Sequence, residues 1–464
     1  MESWAFQELQ GAQLKDERQR TNIVKICEQV SQQPHRSFSA CCGSALRKSG
    51  WGIFSAQKAD LLRGHLQQTW RRCSGHEVLL CLSDSTELNY HGHKCTSGLG
   101  KLGSEHSVRG LGMHTVIAVD GQAENQFLGL LGQYIWAPIV EGRHCTDKKN
   151  YSLIPIEQKE TYRWLMGIEW AYRLKSALKK CKDPALVLAV TDREGGFYDH
   201  IAHAKKRGVQ VLVRVNHMRR KVCYRGQELR LIDLKTKLPV LGTYRYQINA
   251  SEGRSPREAV MEVRVAKIKL KPSGVKQGKA FRLSVVFASE KNPPSAEQAI
   301  EWNLLCSLPL PEGSCQETYH VAYTWILYYE KRWIIERFHY TLKSGALQVE
   351  RLQFDNFNRL KNALQLYSII AWYMMSLLSV AKSEPQTPIE TIADPNEVEI
   401  LKALSSKEVT TAKQAVLAIA SLAGFAPSKK QPLPGEKIFA QGMQTFLSIK
   451  TGFLLAKHQF YGTG

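Results

Sequence analysis

The chain has 464 residues, with 43% hydrophobic and 9% aromatic side chains, enough to bury real cores and too long for one of ordinary size. Its 63 Lys and Arg outweigh 42 Asp and Glu to give a formal net charge of +21, a balance that favours a polyanionic partner through counterion release. No run reaches the ~18 apolar residues of a membrane span, Met1–Lys15 lacks a signal-type apolar core, and the 11 cysteines form no regular framework. A membrane protein and a disulfide-stapled secreted one are therefore not expected; reduced thiols in a cytoplasmic protein are.

Residues 1–72 are polar, basic and helical in pattern, with Ile23, Val24, Ile26 and Val30 at helical spacing. Val78–Ser83 is a short buried strand that is expected to end at Asp84. Met113–Val119 and Phe127–Trp136 follow as strands, with Asp120-Gly121 as a turn. Glu157–Lys180 reads as a long amphipathic helix, Leu186–Thr191 as a strand ending at Asp192, Phe197–Lys206 as a helix and Val209–Val215 as a fifth strand. The helix between the third and fourth strands fits a crossover back to a shared sheet. From 217 to 315 apolar and polar residues alternate between Gly, Pro and Ser breaks, the pattern of a β-rich insertion. Helical pattern then runs from Thr318 through Val380, with Leu366–Val380 read as a buried helix. A polar linker, Lys382–Asn396, precedes a basic helical tail broken at Pro427–Gly435.

Two acids, Asp84 and Asp192, stand directly after buried strands. If those strands are neighbours, the two carboxylates converge as hard oxygen donors suited to Mg²⁺; each is equally readable as a turn or helix cap. The segment Tyr329–Lys343 sharpens the choice. Wound as one helix, it brings Tyr329, Arg332, Glu336, His339 and Lys343 into one sector, opposite Ile335, Phe338 and Leu342. A carboxylate flanked by cations and a phenol suits a face that grips a metal and a phosphate together, whereas a solvated face with an Arg332–Glu336 pair is the plain alternative.

Tyr329, Arg332, Glu336 and Lys343 fit Y-x2-R-x3-E-x6-K. In that spacing the chain resembles the DDE transposases of the IS-four group of bacterial insertion sequences. Leu82-Ser83-Asp84-Ser85-Thr86 and Val190-Thr191-Asp192-Arg193-Glu194 resemble the family's two other acidic segments, and Glu301–Leu305 resembles the insertion strand whose Trp stacks on DNA bases. Gly195 and Gly196 depart from the Ala-Asp pair usual after the second segment, and the region before residue 72 is divergent.

The resemblance implies an RNase H-like α/β core, a mixed five-stranded sheet with flanking helices, carrying the β-rich insertion between helical N- and C-terminal domains. It divides the chain into a DNA-end-binding domain (1–72), core (73–216), insertion (217–315), core with the Glu helix (316–381) and a C-terminal domain for dimerisation (382–464). It implies Asp84, Asp192 and Glu336 as catalytic residues and ligands of two Mg²⁺ ions, with Mn²⁺ as a substitute. Tyr329, Arg332 and Lys343 would hold phosphates, supported by His339. Trp302 would stack on a displaced base, a contact worth ~1–3 kcal/mol, unless it is a core aromatic of the insertion. Arg214 and the basic run Arg219, Arg220 and Lys221 are further candidate DNA contacts. The implied activity is cut-and-paste transposition: cleavage at transposon ends, a hairpin intermediate, and strand transfer into target duplex DNA by a homodimer. A cytoplasmic, nucleoid-associated bacterial protein that engages no membrane is expected. A silent DNA-binding or inhibitor relative, or a cellular nuclease on the same core, is the alternative. His91, His93 and Cys95 lack a fourth ligand at zinc spacing and read as a surface loop; adjacent Cys41 and Cys42 read as inert; Gly110-Leu111-Gly112 reads as a turn.

Overall fold

A computed structural model describes residues 3–34, 36–103, 107–123, 126–138, 154–179, 185–215, 217–248, 255–272, 278–294, 297–405, 408–429 and 431–461. The fold is mixed α/β, with a large mixed sheet and many helices. It falls into two compact units, one of residues 1–76, 85–153 and 334–464, the other of residues 77–84 and 154–333.

The first unit opens with five helices, α1 (Trp4–Leu9), α2 (Glu17–Gln32), α3 (Phe38–Cys41), α4 (Ser44–Ser55) and α5 (Leu62–Cys73). Asp16 caps α2 by accepting from the Gln19 amide at 2.8 Å, and the stripe Ile23, Val24, Ile26 and Val30 is buried as its spacing predicts. Strand β1 (Val78–Asn89) passes from the second unit into this one, which also holds β2 (Gly100–Leu102), β3 (Val108–Asp120) and β4 (Phe127–Trp136). Gly110 and Gly112 lie inside β3 and form no turn. A side chain at Gly110 would meet the Leu88 carbonyl at 2.1 Å, and one at Gly112 the Trp136 ring at 2.3 Å, so these glycines permit close approach.

A buried polar knot joins α1, α5 and β4. The His65 Nδ1–H donates to Glu8 at 2.6 Å, and its Nε2 accepts from the Leu130 amide at 2.9 Å. Arg72 donates to the Glu8 carboxylate at 2.6 Å and to the Leu128 carbonyl at 2.6 Å, and its guanidinium lies 4.1 Å from the centre of the Trp372 ring. Trp4 stacks on Tyr373 at 3.8 Å. Both aromatic partners sit on a later helix, so the N-terminal helices are packed into the unit.

In the second unit, β1 pairs in parallel with β5 (Leu186–Thr191), and β5 with β6 (Gln210–Arg214). The order continues antiparallel through β12 (Glu301–Cys306), β11 (Phe281–Glu290), β10 (Arg257–Leu270), β7 (Lys221–Tyr224) and β8 (Gln227–Arg230), with β9 (Gly242–Ile248) also on β10. Helices α6 (Tyr162–Leu178), α7 (Tyr198–Arg207), α8 (Leu231–Lys237) and α9 (Cys315–Glu330) complete it. The β-rich character expected of 217–315 is present. Helix α6 starts later than expected, after a short 3₁₀ turn at Ile156–Gln158; Lys180 and Asn216 lie outside the described residues.

Two local expectations are corrected. Strand β1 does not end at Asp84 but runs on to Asn89. Tyr329–Lys343 is not one helix: α9 stops at Glu330 and α10 (Trp333–Lys343) begins after a turn in which the Arg332 amide donates to the Tyr329 carbonyl at 3.0 Å. That contact spans three residues where the α-helical one spans four.

Beyond α10 the first unit continues with α11 (Phe357–Ser383), α12 (Pro395–Leu404), α13 (Ala412–Ser421) and α14 (Glu436–Tyr461). Helix α11 is long and apolar enough to cross a membrane, but 83% of its most apolar window is buried inside the protein, as a core helix would be. The expected linker is partly ordered, with a 3₁₀ turn at Ile389–Thr391. All described cysteines are free thiols.

The knot predicts acid sensitivity. Burial pushes the Glu8 carboxyl up, but His65 and Arg72 outweigh it and hold it below its usual range; burial holds the His65 imidazole below its usual value against the pull of Glu8. A lowered carboxyl loses its stabilising effect as pH falls, and a lowered imidazole favours the unfolded chain once that chain protonates near ~6.5. The His65 shift makes the unit less stable below about pH 6.5, and the Glu8 shift adds to the loss only as pH falls below the usual carboxylate range. Glu8→Ala leaves Arg72 and the His65 N–H without their acceptor and is expected to cost about 3–5 kcal/mol, read by urea unfolding at pH 7.

Candidate functional site

The parallel register of β1 and β5 runs from Val78↔Leu186 to Ser83↔Thr191. Asp84 and Asp192 are the next residues on each strand, so the backbone brings them to one level side by side. Asp192 accepts from the Glu194 amide at 2.9 Å and caps the 3₁₀ turn Arg193–Gly195. It is thus a turn cap as well as a strand-end acid. Burial raises its pKa, partly opposed by backbone hydrogen bonds and by Arg332. Asp84 lies 3.5 Å from the Arg332 guanidinium, both side chains largely covered. Arg332 therefore offsets negative charge at both acids. Two carboxylates on adjacent strands are a donor set that Mg²⁺ accepts, and the burial that disfavours charge on Asp192 is what a cation would offset. Among the described residues no group of three His, Cys, Asp or Glu side chains is arranged to hold a metal.

Arg332 also lines a cleft of about 600 Å³ with Arg193, Arg214, Tyr246, Trp302, Tyr329 and Trp333. Trp302 is 7% exposed and sits between Tyr246, ring centres 5.0 Å apart, and Tyr329, 6.1 Å apart. It is at once a packed aromatic and a wall of the cleft. Burial raises the Tyr329 phenol, against the pull of Arg332 and Arg214, so the phenol stays protonated and offers a hydrogen bond. Arg214 donates to the Glu301 carbonyl at 2.9 Å, which aligns β6 with β12. Guanidinium groups set among flat rings suit a ligand that carries both negative charge and an aromatic face.

The first unit carries Glu336 and Lys343 on α10. Its buried arc comprises Ile334, Ile335, Phe338, His339, Thr341 and Leu342. Glu336 and Lys343 fall on the open side and His339 does not. Burial pulls the His339 imidazole down to about 3, helped by Lys343, so it is neutral and cannot support a phosphate as a cation. Lys343 approaches Thr86 at 3.4 Å and Glu350 at 3.9 Å, and Ser85 bonds His114 at 2.9 Å.

Of the basic run, Arg219 is exposed, and Lys221 is exposed and paired with Glu228 at 3.0 Å. Arg220 is half-buried and donates to the Gly196 carbonyl at 2.7 Å, tying β7 to the turn after Asp192. Arg193, Tyr246 and Trp333 were not singled out from the sequence. Arg193 and Trp333 directly follow Asp192 and Arg332, which is the signal that could have found them; Tyr246 carries none.

A family model described as transposase DNA-binding matches residues 1–49, the segment that holds α1 to α3 and the start of α4. The match supports transposase-related DNA binding and DNA as the partner.

Because burial disfavours its charge, Asp192 is an electrostatic cost to the metal-free fold. Asp192→Asn keeps a capping oxygen and is expected to raise the melting temperature of the metal-free protein. Millimolar Mg²⁺ should raise that of the wild type and leave the variant unmoved; thermal shift measurements check both.

Proposed function

We propose that the chain is a DDE transposase of the IS-four kind, acting on duplex DNA with an RNase H-like core in which Asp84, Asp192 and Glu336 hold Mg²⁺. The observation that carries the reading is the β1–β5 register, which sets Asp84 and Asp192 side by side next to Arg332, an arginine that also lines the cleft. Glu336 enters from its spacing to Arg332 in the Y-x2-R-x3-E-x6-K pattern and from its half-exposed position on α10. Bound there, Mg²⁺ would polarise phosphate oxygens and make water or a 3′-hydroxyl nucleophilic for in-line displacement.

The side chains have separable tasks. Asp84 and Asp192 supply oxygen ligands from a rigid sheet, which fixes where a scissile phosphate must sit. Arg332 would offset part of their charge and, with the site loaded, offer its guanidinium to phosphate oxygens. Tyr329, buried and protonated, donates to a phosphate oxygen, and Lys343 holds a second phosphate. Trp302, edged by Tyr246 and Tyr329, offers a ring to a base unstacked near the cut. Cleavage at a transposon end, hairpin formation on the opposite strand and transfer to a target are the sequence this set would serve. The N-terminal helices would bind the end, and the C-terminal helices would pair two copies. Manganese would substitute for magnesium.

A second reading, a DNA-binding relative without catalysis, is favoured by one observation: the family match covers the DNA-binding segment alone. Mg²⁺-dependent cleavage of the element's own terminal sequence by purified protein separates the two. The wild type should cut, and Asp84→Ala, Asp192→Ala and Glu336→Ala should each lose at least about 10³-fold in rate while keeping end affinity within a few-fold. Normal cutting by any of the three variants would remove that residue from the site, and no cutting by the wild type would leave the binding reading.

A further inference from the structure

The four-stranded end of the second unit's sheet, β11–β10–β7–β8, has two unlike faces. Val222, Ile268, Leu270 and Leu283 are buried on one side. On the other the register sets Lys269 opposite Arg282 and Lys221 opposite Arg230, with Lys267 and Lys271 next along β10, all six exposed. Lys269 also pairs with Cys223, which pairs with Glu228, so these cations share one surface. The acids at this surface are Glu228, shared by Lys221 at 3.0 Å and Lys271 at 3.7 Å, and Asp233, held by Arg230 at 2.7 Å. Lys267, Lys269 and Arg282 have no ion-pair partner among the described residues.

Like charges directly opposite across a strand pair destabilise it. Glu228 and Asp233 offset the Lys221–Arg230 pair, but Lys269 opposite Arg282, with Lys267 beside it, meets no acid among the described residues, and an external anion would relieve that cost. The face is about 13 Å along β10 and about 14 Å across four strands, against a duplex that carries one charge per about 1.7 Å of axis. Among its described residues it presents no aromatic ring to stack on a free base, which favours a duplex backbone over a single strand. Arg282 lies six positions along β11 from Ala288, the partner of Trp302, or about 20 Å at strand rise, so this surface is distinct from the cleft.

We infer that the Lys221–Arg230–Lys267–Lys269–Lys271–Arg282 face docks on the phosphate backbone of duplex DNA without reading its sequence, a role that rests on the proposed action on DNA. The test is equilibrium binding of the full chain to a fluorescent random-sequence 30-base-pair duplex across a KCl series, without Mg²⁺, so that cleavage plays no part. K267Q/K269Q/R282Q should flatten the slope of log affinity against log salt by about 2–3. R245Q/K291Q/K457Q removes the same charge from cations already paired with Glu258, Glu262 and Glu399 and should leave the slope unchanged. Without DNA, the first triple variant should melt no lower than the wild type, since it relieves repulsion. An unmoved slope, an equal change in both triple variants, or a lower melting temperature would overturn the inference. Failure of the wild type to bind the duplex would overturn both this surface and the DNA reading, whereas an unmoved slope with intact wild-type binding removes the surface alone.

Discussion

The parallel pairing of β1 with β5 is the constraint on which the candidate chemistry depends. Backbone hydrogen bonds fix the register of Val78–Ser83 against Leu186–Thr191, and register is a discrete quantity: a slip of one residue would turn every side chain to the other face. Asp84 and Asp192 inherit their common level from that ladder. This explains how two acids can be held together at a cost. The sheet secures their position through buried Leu79, Leu80, Leu188 and Val190, and Arg332 offsets the repulsion. The site is preorganised because its supports are far more numerous than its charges.

Arg332 is the joint between this pair and the cleft. It lies in the turn between α9 and α10, so its direction depends on the break in the helix. Arg332 meets Asp84, and Tyr329 lies in the packed wall beside Trp302. Four residues that a wheel reads as one face thus divide into a buried pair, Tyr329 and Arg332, and an open pair, Glu336 and Lys343.

What the sequence made legible follows from burial. Val78–Ser83 and Leu186–Thr191 are apolar on both faces, which is how strands covered on both sides read, and both were recognised. The β-rich insertion and the apolar α11 stood out for similar reasons. The continuation of β1 through Ser85–Asn89 did not, because polar residues beyond the covered part carry no strand signal. The turn at Lys331-Arg332 carries no sequence signal because both are good helix formers and its tight three-residue contact joins backbone groups. Gly110 and Gly112 were mistaken for turn residues because a glycine needed for close packing and one needed for chain reversal look alike in a sequence. His339 joined the wrong face for want of a residue-by-residue view of what α10 packs on.

The cationic sheet face shows a further limit of linear reading. Lys221, Arg230, Lys269 and Arg282 lie on four different strands, and none of them forms a basic run dense enough to attract notice beyond Arg219–Lys221. Only strand register brings them opposite one another, and only the opposition reveals a cost. A net charge of +21 states that cations are in excess; it does not state where repulsion has been left uncompensated. Surface cations that pair with neighbouring acids, such as Arg245 with Glu258, are explained by the fold alone. Cations held against one another are not, and the fold tolerates them because the buried face beneath, with Ile268, Leu270 and Leu283, stabilises the strands enough to outweigh a loss of roughly 1 kcal/mol per like-charged pair. A protein that handles a polyanion can place such pairs where the polyanion lies, since each is relieved on binding, and the relief adds to the counterion term that already drives association.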